Sequence, residues 1–205
     1  MRFMILILCV FGYLSPWVIH PAGGLTFHAY DLAEWASLHP IVRAESPALF
    51  TTMLLRLPLV AIGVLFALSA HRGRRWRVWC WAAAFGVALG LLPPFDFVTQ
   101  LSNGNYQQQL GLALMVIVAL VLSITGRFVR IYPIIGAVTA LIGFLSGVIG
   151  FVYTLDLLHD FDLATAPGMG VFFTNIALIL FLLTLYPRPT ASTQLVPIGG
   201  TGRKI

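Results

Sequence analysis

The stretch 132-YPIIGAVTALIGFLSGVIGFVYTL-155 decides the class of this protein. It carries no charged residue, and at 1.5 Å per residue a helix of this length spans about 36 Å, enough for a hydrocarbon core of roughly 30 Å. Gly136, Ala140, Gly143, Gly147 and Gly150 recur at spacings of 4, 3, 4 and 3, so they form one continuous stripe. Lipid tails are as apolar as leucine, and membrane helices associate where small residues let backbones approach. The stretch therefore predicts a membrane helix with its glycine face packed on a neighbour.

Working outward, five more apolar runs qualify. The six spans are about 3–19, 48–70, 78–95, 108–126, 131–154 and 169–186. Ala82, Gly86 and Gly90 in the third, and Gly63 and Ala67 in the second, repeat the small-residue spacing and predict further seams. Ser46-Pro47 and Thr165-Ala166-Pro167 read as start signals for the second and sixth spans. The whole composition agrees. Of 205 residues 59% are hydrophobic and 9% charged, against about 45–50% and about 25% in a soluble domain. That excludes a soluble single domain, a disordered chain, a disulfide scaffold and a nucleic-acid binder.

Charge gives the orientation. With the N-terminus inside, Arg2, Arg72, Arg74, Arg75, Arg77, Arg127, Arg130, Arg188, Arg203 and Lys204, ten of the twelve Lys and Arg, are cytoplasmic, as the positive-inside rule asks. All seven Asp and Glu then lie outside. The expectation is an all-α, polytopic bundle of six helices, N-in and C-in, in a bacterial-type cytoplasmic (inner) membrane. Residues 1–186 form the transmembrane domain and 187–205 a flexible cytoplasmic tail. Residues 3–14 resemble the apolar core of a signal peptide, but no small-residue cleavage site follows, so the first span is read as retained. Cys9 and Cys80 lie in apolar runs and read as small buried hydrophobes.

The longest outer loop, about 20–46, contains a helix signal. Asp31 with Glu34 three residues on reads as a capping box, and Tyr30 with Trp35 as a hydrophobic staple. The result is a short helix lying on the membrane surface or on the bundle. His28, Asp31, Trp35 and His39 would share one side of it if the helix began early. His28 and His39, with Asp156, His159 and Asp160 of the third outer loop, are weak candidates for metal ligands. They lack a compact ligand motif, so no metal and no cofactor is assigned. Arg56 is the one ionisable residue inside a span. Such residues mark functional sites or paired structural charges. Asp96, at matching outer depth after Pro93-Pro94, is read as its partner.

Three segments together resemble a family of uncharacterised bacterial six-helix integral membrane proteins. They are Ser15–Pro40 (SPWVIHPAGGLTFHAYDLAEWASLHP), with its PWV-H and DLAE-type elements, Pro93-Pro94, and Ala166-Pro167-Gly168-Met169-Gly170. Where that family has an acidic-aromatic-basic stretch before the fourth span, this chain has Asn103–Gln109. The resemblance implies the same topology and carries no activity. No catalytic residue is assigned: the chain lacks G-x-S-x-G, H-E-x-x-H and a phosphate-binding loop. The functional expectation is a non-enzymatic accessory or scaffold subunit of a membrane assembly, with the lipid bilayer and other membrane-protein subunits as partners and no nucleic acid. The alternative is a small permease or substrate-binding membrane component working with a partner. A third reading is an outer-face metal-dependent enzyme.

Overall fold

The computed structural model describes residues 1–21, 26–71, 75–126, 131–161, 163 and 165–185. The predicted tail, Asp162 and most of the inner-loop arginines lie outside them. Among the described residues the protein is all-helical, with 77% of them in helix. In chain order the elements are α1 (Arg2–Leu14), β1 (Pro16–Ile19), β2 (Phe27–His28), α2 (Ala29–Leu38), α3 (Pro40–Arg43), α4 (Phe50–Ser69) and α5 (Arg77–Gly90). A 3-10 turn (Phe95–Thr99) follows, then α6 (Gly104–Ile124), α7 (Tyr132–His159), β3 (Ala166–Pro167) and α8 (Met169–Leu185). Three helices, α4, α6 and α7, are long and apolar enough to cross a membrane. The apolar helices α1, α5 and α8 are shorter, at 13, 14 and 17 residues.

The first span differs from its expected 3–19 because of Pro16. A proline lacks the amide that would continue the helix and biases the residue before it to extended backbone. Ser15 accordingly has φ −83° and ψ 161°. Its hydroxyl donates to the Phe11 carbonyl at 2.7 Å. Residues 16–19 then run as the middle strand of a small antiparallel sheet, order β2-β1-β3. Pro16 stands at the first position of its strand, where a missing donor is tolerated. The sheet also corrects the reading of Ala166-Pro167, which pairs with β1 instead of starting the last helix. Likewise α4 starts at Phe50, not at Pro47. Its first amides are capped by Glu45, whose carboxylate accepts from Thr51 N at 2.9 Å and from the Thr51 hydroxyl. A carboxylate at a helix N-terminus also complements the helix dipole.

The helix α4 is the centre of the molecule, in contact with α1, α2, α5, α6 and α7. Its closest approach is to α7. A Cβ built on Gly143 would stand 2.6 Å from Ala61 Cβ, and one on Gly150 would stand 2.9 Å from Leu54 Cβ. Gly147 faces Pro58 and Trp17, Gly136 faces Leu185, and Ala140 is fully buried. On the far side α8 joins α7 to α1. There Gly168 touches the Pro16 carbonyl so closely that any side chain would overlap it. Trp17 is buried among Tyr13 and Phe151 with its indole N–H on the Gly12 carbonyl at 3.2 Å. The stripe Ala82, Gly86, Gly90 on α5 is a further correction. All three are exposed, and nothing lies within 4 Å of a Cβ built on Gly86 or Gly90.

Candidate functional site

Arg56 is fully buried, at 0% exposure. It sits two turns into α4, where α2 meets the N-terminal ends of α4 and α6. Its Nη2 donates to Glu34 Oε1 at 2.7 Å. Its Nη1 donates to Asn105 Oδ1 at 2.8 Å and Gln108 Oε1 at 2.9 Å. The Tyr30 ring centroid lies 5.9 Å from the guanidinium carbon, within cation–π range. Glu34 is gathered from the other side. Gln109 Nε2 donates to Oε1 at 2.6 Å and Asn105 Nδ2 to Oε2 at 3.4 Å. Gln108 Nε2 and the Thr52 hydroxyl both donate to the Leu49 carbonyl, at 3.0 and 2.8 Å. Leu49 is the left-handed residue (φ 60°) that turns the chain into α4. Three elements far apart in sequence thus meet in one polar knot.

The partner of Arg56 is therefore Glu34, and Asp96 is corrected. Asp96 lies in the exposed 3-10 turn, where its carboxylate accepts from Gln100 Nε2 at 3.5 Å and the Tyr106 hydroxyl at 3.4 Å. The physical reason is reach. The amphipathic helix α2 buries Ala29, Leu32, Ala33 and Ala36 on the bundle, which carries Glu34 over the N-terminal end of α4. The turn after α5 points Asp96 outward.

The capping reading changes with it. The helix begins early, at Ala29, and its N-cap is His28, whose Nδ1 accepts from Asp31 N at 3.3 Å. His28 Nε2 lies 3.1 Å from Asp31 Oδ2, so one imidazole caps the helix and holds Asp31. Glu34 does not reach back to the cap, and Tyr30 and Trp35 are not a staple. Tyr30 faces Arg56, while Trp35 packs with Phe27, His39 and Phe161. Burial raises the Tyr30 hydroxyl pKa above its ordinary value, and the neighbouring Glu34 carboxylate adds to the rise while Arg56 opposes it. The phenol is thus held neutral as a donor beside Glu34.

His39 caps α3 through Nδ1, accepting from Ile41 N at 3.3 Å. Asp156 and Asp160 line a small hollow of about 210 Å³ with Glu45, Thr51 and Tyr153. Among the described residues no three His, Cys, Asp or Glu side chains converge as metal ligands. His159 ends α7.

A larger cleft of about 530 Å³ opens beside the knot, lined by Ser37, Arg43, Gln100, Ser102, Asn103 and Asn105 among others. Asn105 belongs to both. The amides of α6 were the missing part of the sequence reading. The spacing of Asn105, Gln108 and Gln109 is i, i+3, i+4, which puts them on one helical face. Carboxamides so placed at the head of an apolar helix are the signal that was available. With the span taken from residue 108, Asn105 fell in the loop.

The knot contains no activated nucleophile. Its acid and its base are bonded to each other and to amides, an arrangement suited to holding helices together and to recognising polar groups. No family model, no curated protein and no solved structure matches the chain. Fold and site define a class only: an α-helical protein with, among the described residues, three membrane-length helices and a half-buried Arg56–Glu34 ion pair beneath a short helix.

Proposed function

We propose that the chain is a non-enzymatic, six-pass inner-membrane protein with both termini cytoplasmic, acting as an accessory or scaffold subunit of a membrane assembly. In this reading α1, α5 and α8 cross the bilayer beside α4, α6 and α7, with β1 lengthening α1 by four residues. The likeness to the six-span bacterial family belongs to the same proposal. The observation that carries it is the Arg56 knot. It fastens α2 to α4 and α6 through Glu34, Asn105 and Gln109, so the outer layer is a fixed platform. Fixed surfaces suit lasting contacts with partner chains better than alternating access does.

Two experiments test it. Cysteines at Thr99 and His159 should label from outside intact cells, while cysteines at Gly73 and Ser192 should label only after lysis. External labelling at Ser192 would remove the six-span arrangement. Isolation from membranes in mild detergent should retain partner chains with the wild type and lose them with Glu34→Gln, which loosens the platform. A wild-type chain that isolates alone would defeat the scaffold reading. The second reading, a substrate-binding component, is favoured by the cleft at Asn105.

A further inference from the structure

The geometry of that cleft points to an occupant: we propose that it holds the headgroup of an anionic phospholipid. The proposal rests on the membrane reading above but not on any partner chain.

Three features combine. The first is charge. Arg43 is the one charged residue lining the cleft. Its Nε donates to the Ser37 carbonyl at 2.8 Å, which fixes the plane of the guanidinium. Among the described residues its two terminal nitrogens have no acceptor, and that pair is the fork that binds phosphate oxygens. Gly104 and Asn105 bring the start of the 21-residue helix α6 to the same wall, adding partial positive charge. The carboxylates bordering the region are engaged elsewhere, Glu34 by Arg56 and Asp96 by Gln100 and Tyr106.

The second feature is the rest of the lining. The Ser102 hydroxyl and the Asn103 amide nitrogen are donors, and the Ser37 and Thr99 hydroxyls, which donate to the Glu34 and Asp96 carbonyls, can still accept, which suits a hydroxylated group such as glycerol. A volume of about 530 Å³ exceeds what an inorganic anion fills, and lies in the range of small-molecule sites.

The third feature names the lipid. The segments that form the polar walls also carry exposed apolar residues. Phe95, Val98 and Leu101 lie in the same segment as Thr99, Gln100 and Ser102, and Leu38 and Ile41 stand in sequence beside Ser37 and Arg43. Phe95 is 100% and Leu38 69% exposed. A polar, cationic floor between apolar shoulders matches an amphiphile with a phosphate and hydroxyl head and two acyl chains. A free sugar phosphate would share the head chemistry but leave the shoulders uncovered.

The test is thermal unfolding of the detergent-purified full chain with dioleoyl phosphatidylglycerol, dioleoyl phosphatidylcholine or glycerol 1-phosphate. Phosphatidylglycerol should raise the midpoint by several degrees more than phosphatidylcholine, and glycerol 1-phosphate at equal concentration should give little rise. Arg43→Gln should lose most of the difference between the two lipids. Ser102→Glu, at an exposed position and with Arg43 intact, should lose it too by placing a carboxylate in the cleft. Arg75→Gln, far along the chain in the inner cluster, should keep it. Equal shifts with both lipids would overturn the proposal, as would an undiminished difference in Arg43→Gln and Ser102→Glu. A full shift with glycerol 1-phosphate alone would overturn the lipid and leave a soluble anion.

Discussion

The helices α7 and α5 each carry a stripe of small residues at helical spacing, and the two stripes have opposite fates. On α7 the stripe is clasped by α4, with Gly143 and Gly150 against Ala61 and Leu54. On α5, Ala82, Gly86 and Gly90 look away from the bundle, and α4 and α6 are met by Ala84, Val87 and Ala88 on the other side. Spacing alone shows that a helix has a smooth face, but not that a neighbour uses it. The difference comes from α4. Its apolar window is 83% buried, and it needs a close partner where Pro58 interrupts its own hydrogen-bond ladder. The glycines of α7 supply the room beside that proline.

Gly143→Leu should break this contrast most severely. Its first added carbon already meets Ala61, so several atoms are forced into backbone-level contact. Overpacking costs typically about 1–3 kcal/mol, and here the upper end or beyond is expected, read as a lowered unfolding midpoint in detergent. Gly86→Leu sharpens the contrast from the other side. It should stay within about 0.5 kcal/mol of wild type, as substitutions away from packed features do. A similar loss at both sites would mean that the α5 stripe is covered in the folded protein.

Between these extremes stands the ion pair, on the outer part of the same α4. Arg56→Leu should leave Glu34 beside two amides but without its cation. Removing one partner of a fully buried pair costs about 3–5 kcal/mol. The Glu34 side chain is 39% exposed, so water screens it and about 1–3 kcal/mol is expected. Adding Glu34→Gln should recover part of the loss, a coupling measurable in a double-mutant cycle. Arg56→Leu with Asp96→Asn should instead be additive within about 0.5 kcal/mol. Coupling to Asp96 and none to Glu34 would show that α2 is not seated on the bundle in solution.

Much of the fold was legible because it depends on local signals. The apolar runs located the helices α1, α4, α5, α6, α7 and α8 to within a few residues at most ends, and the α7 stripe located the face turned to α4. What failed depended on long-range geometry. The choice of Asp96 for Arg56 used depth along the helices, a one-dimensional coordinate. Glu34 was already assigned to a cap that His28 fills. Ser15–Ile19 read as the end of a span because its apolar content hides the change of backbone at Pro16. The sheet could not be foreseen from any one of its strands, each of two to four residues.

That sheet has a consequence for how the chain is made. The strand after the first helix pairs with the strand before the last, and Gly168 N donates to Trp17 O at 2.7 Å. At the other end of the same two helices Arg2 reaches Thr184 at 3.1 Å, 182 residues away. In this chain α1 is therefore made well before the helix it packs against. Until α8 is in place, Gly12 lacks the cover of Thr174 and the Pro16 carbonyl that of Gly168. Each helix can form as it is made, but the α1 side of the bundle closes only once α8 is in place.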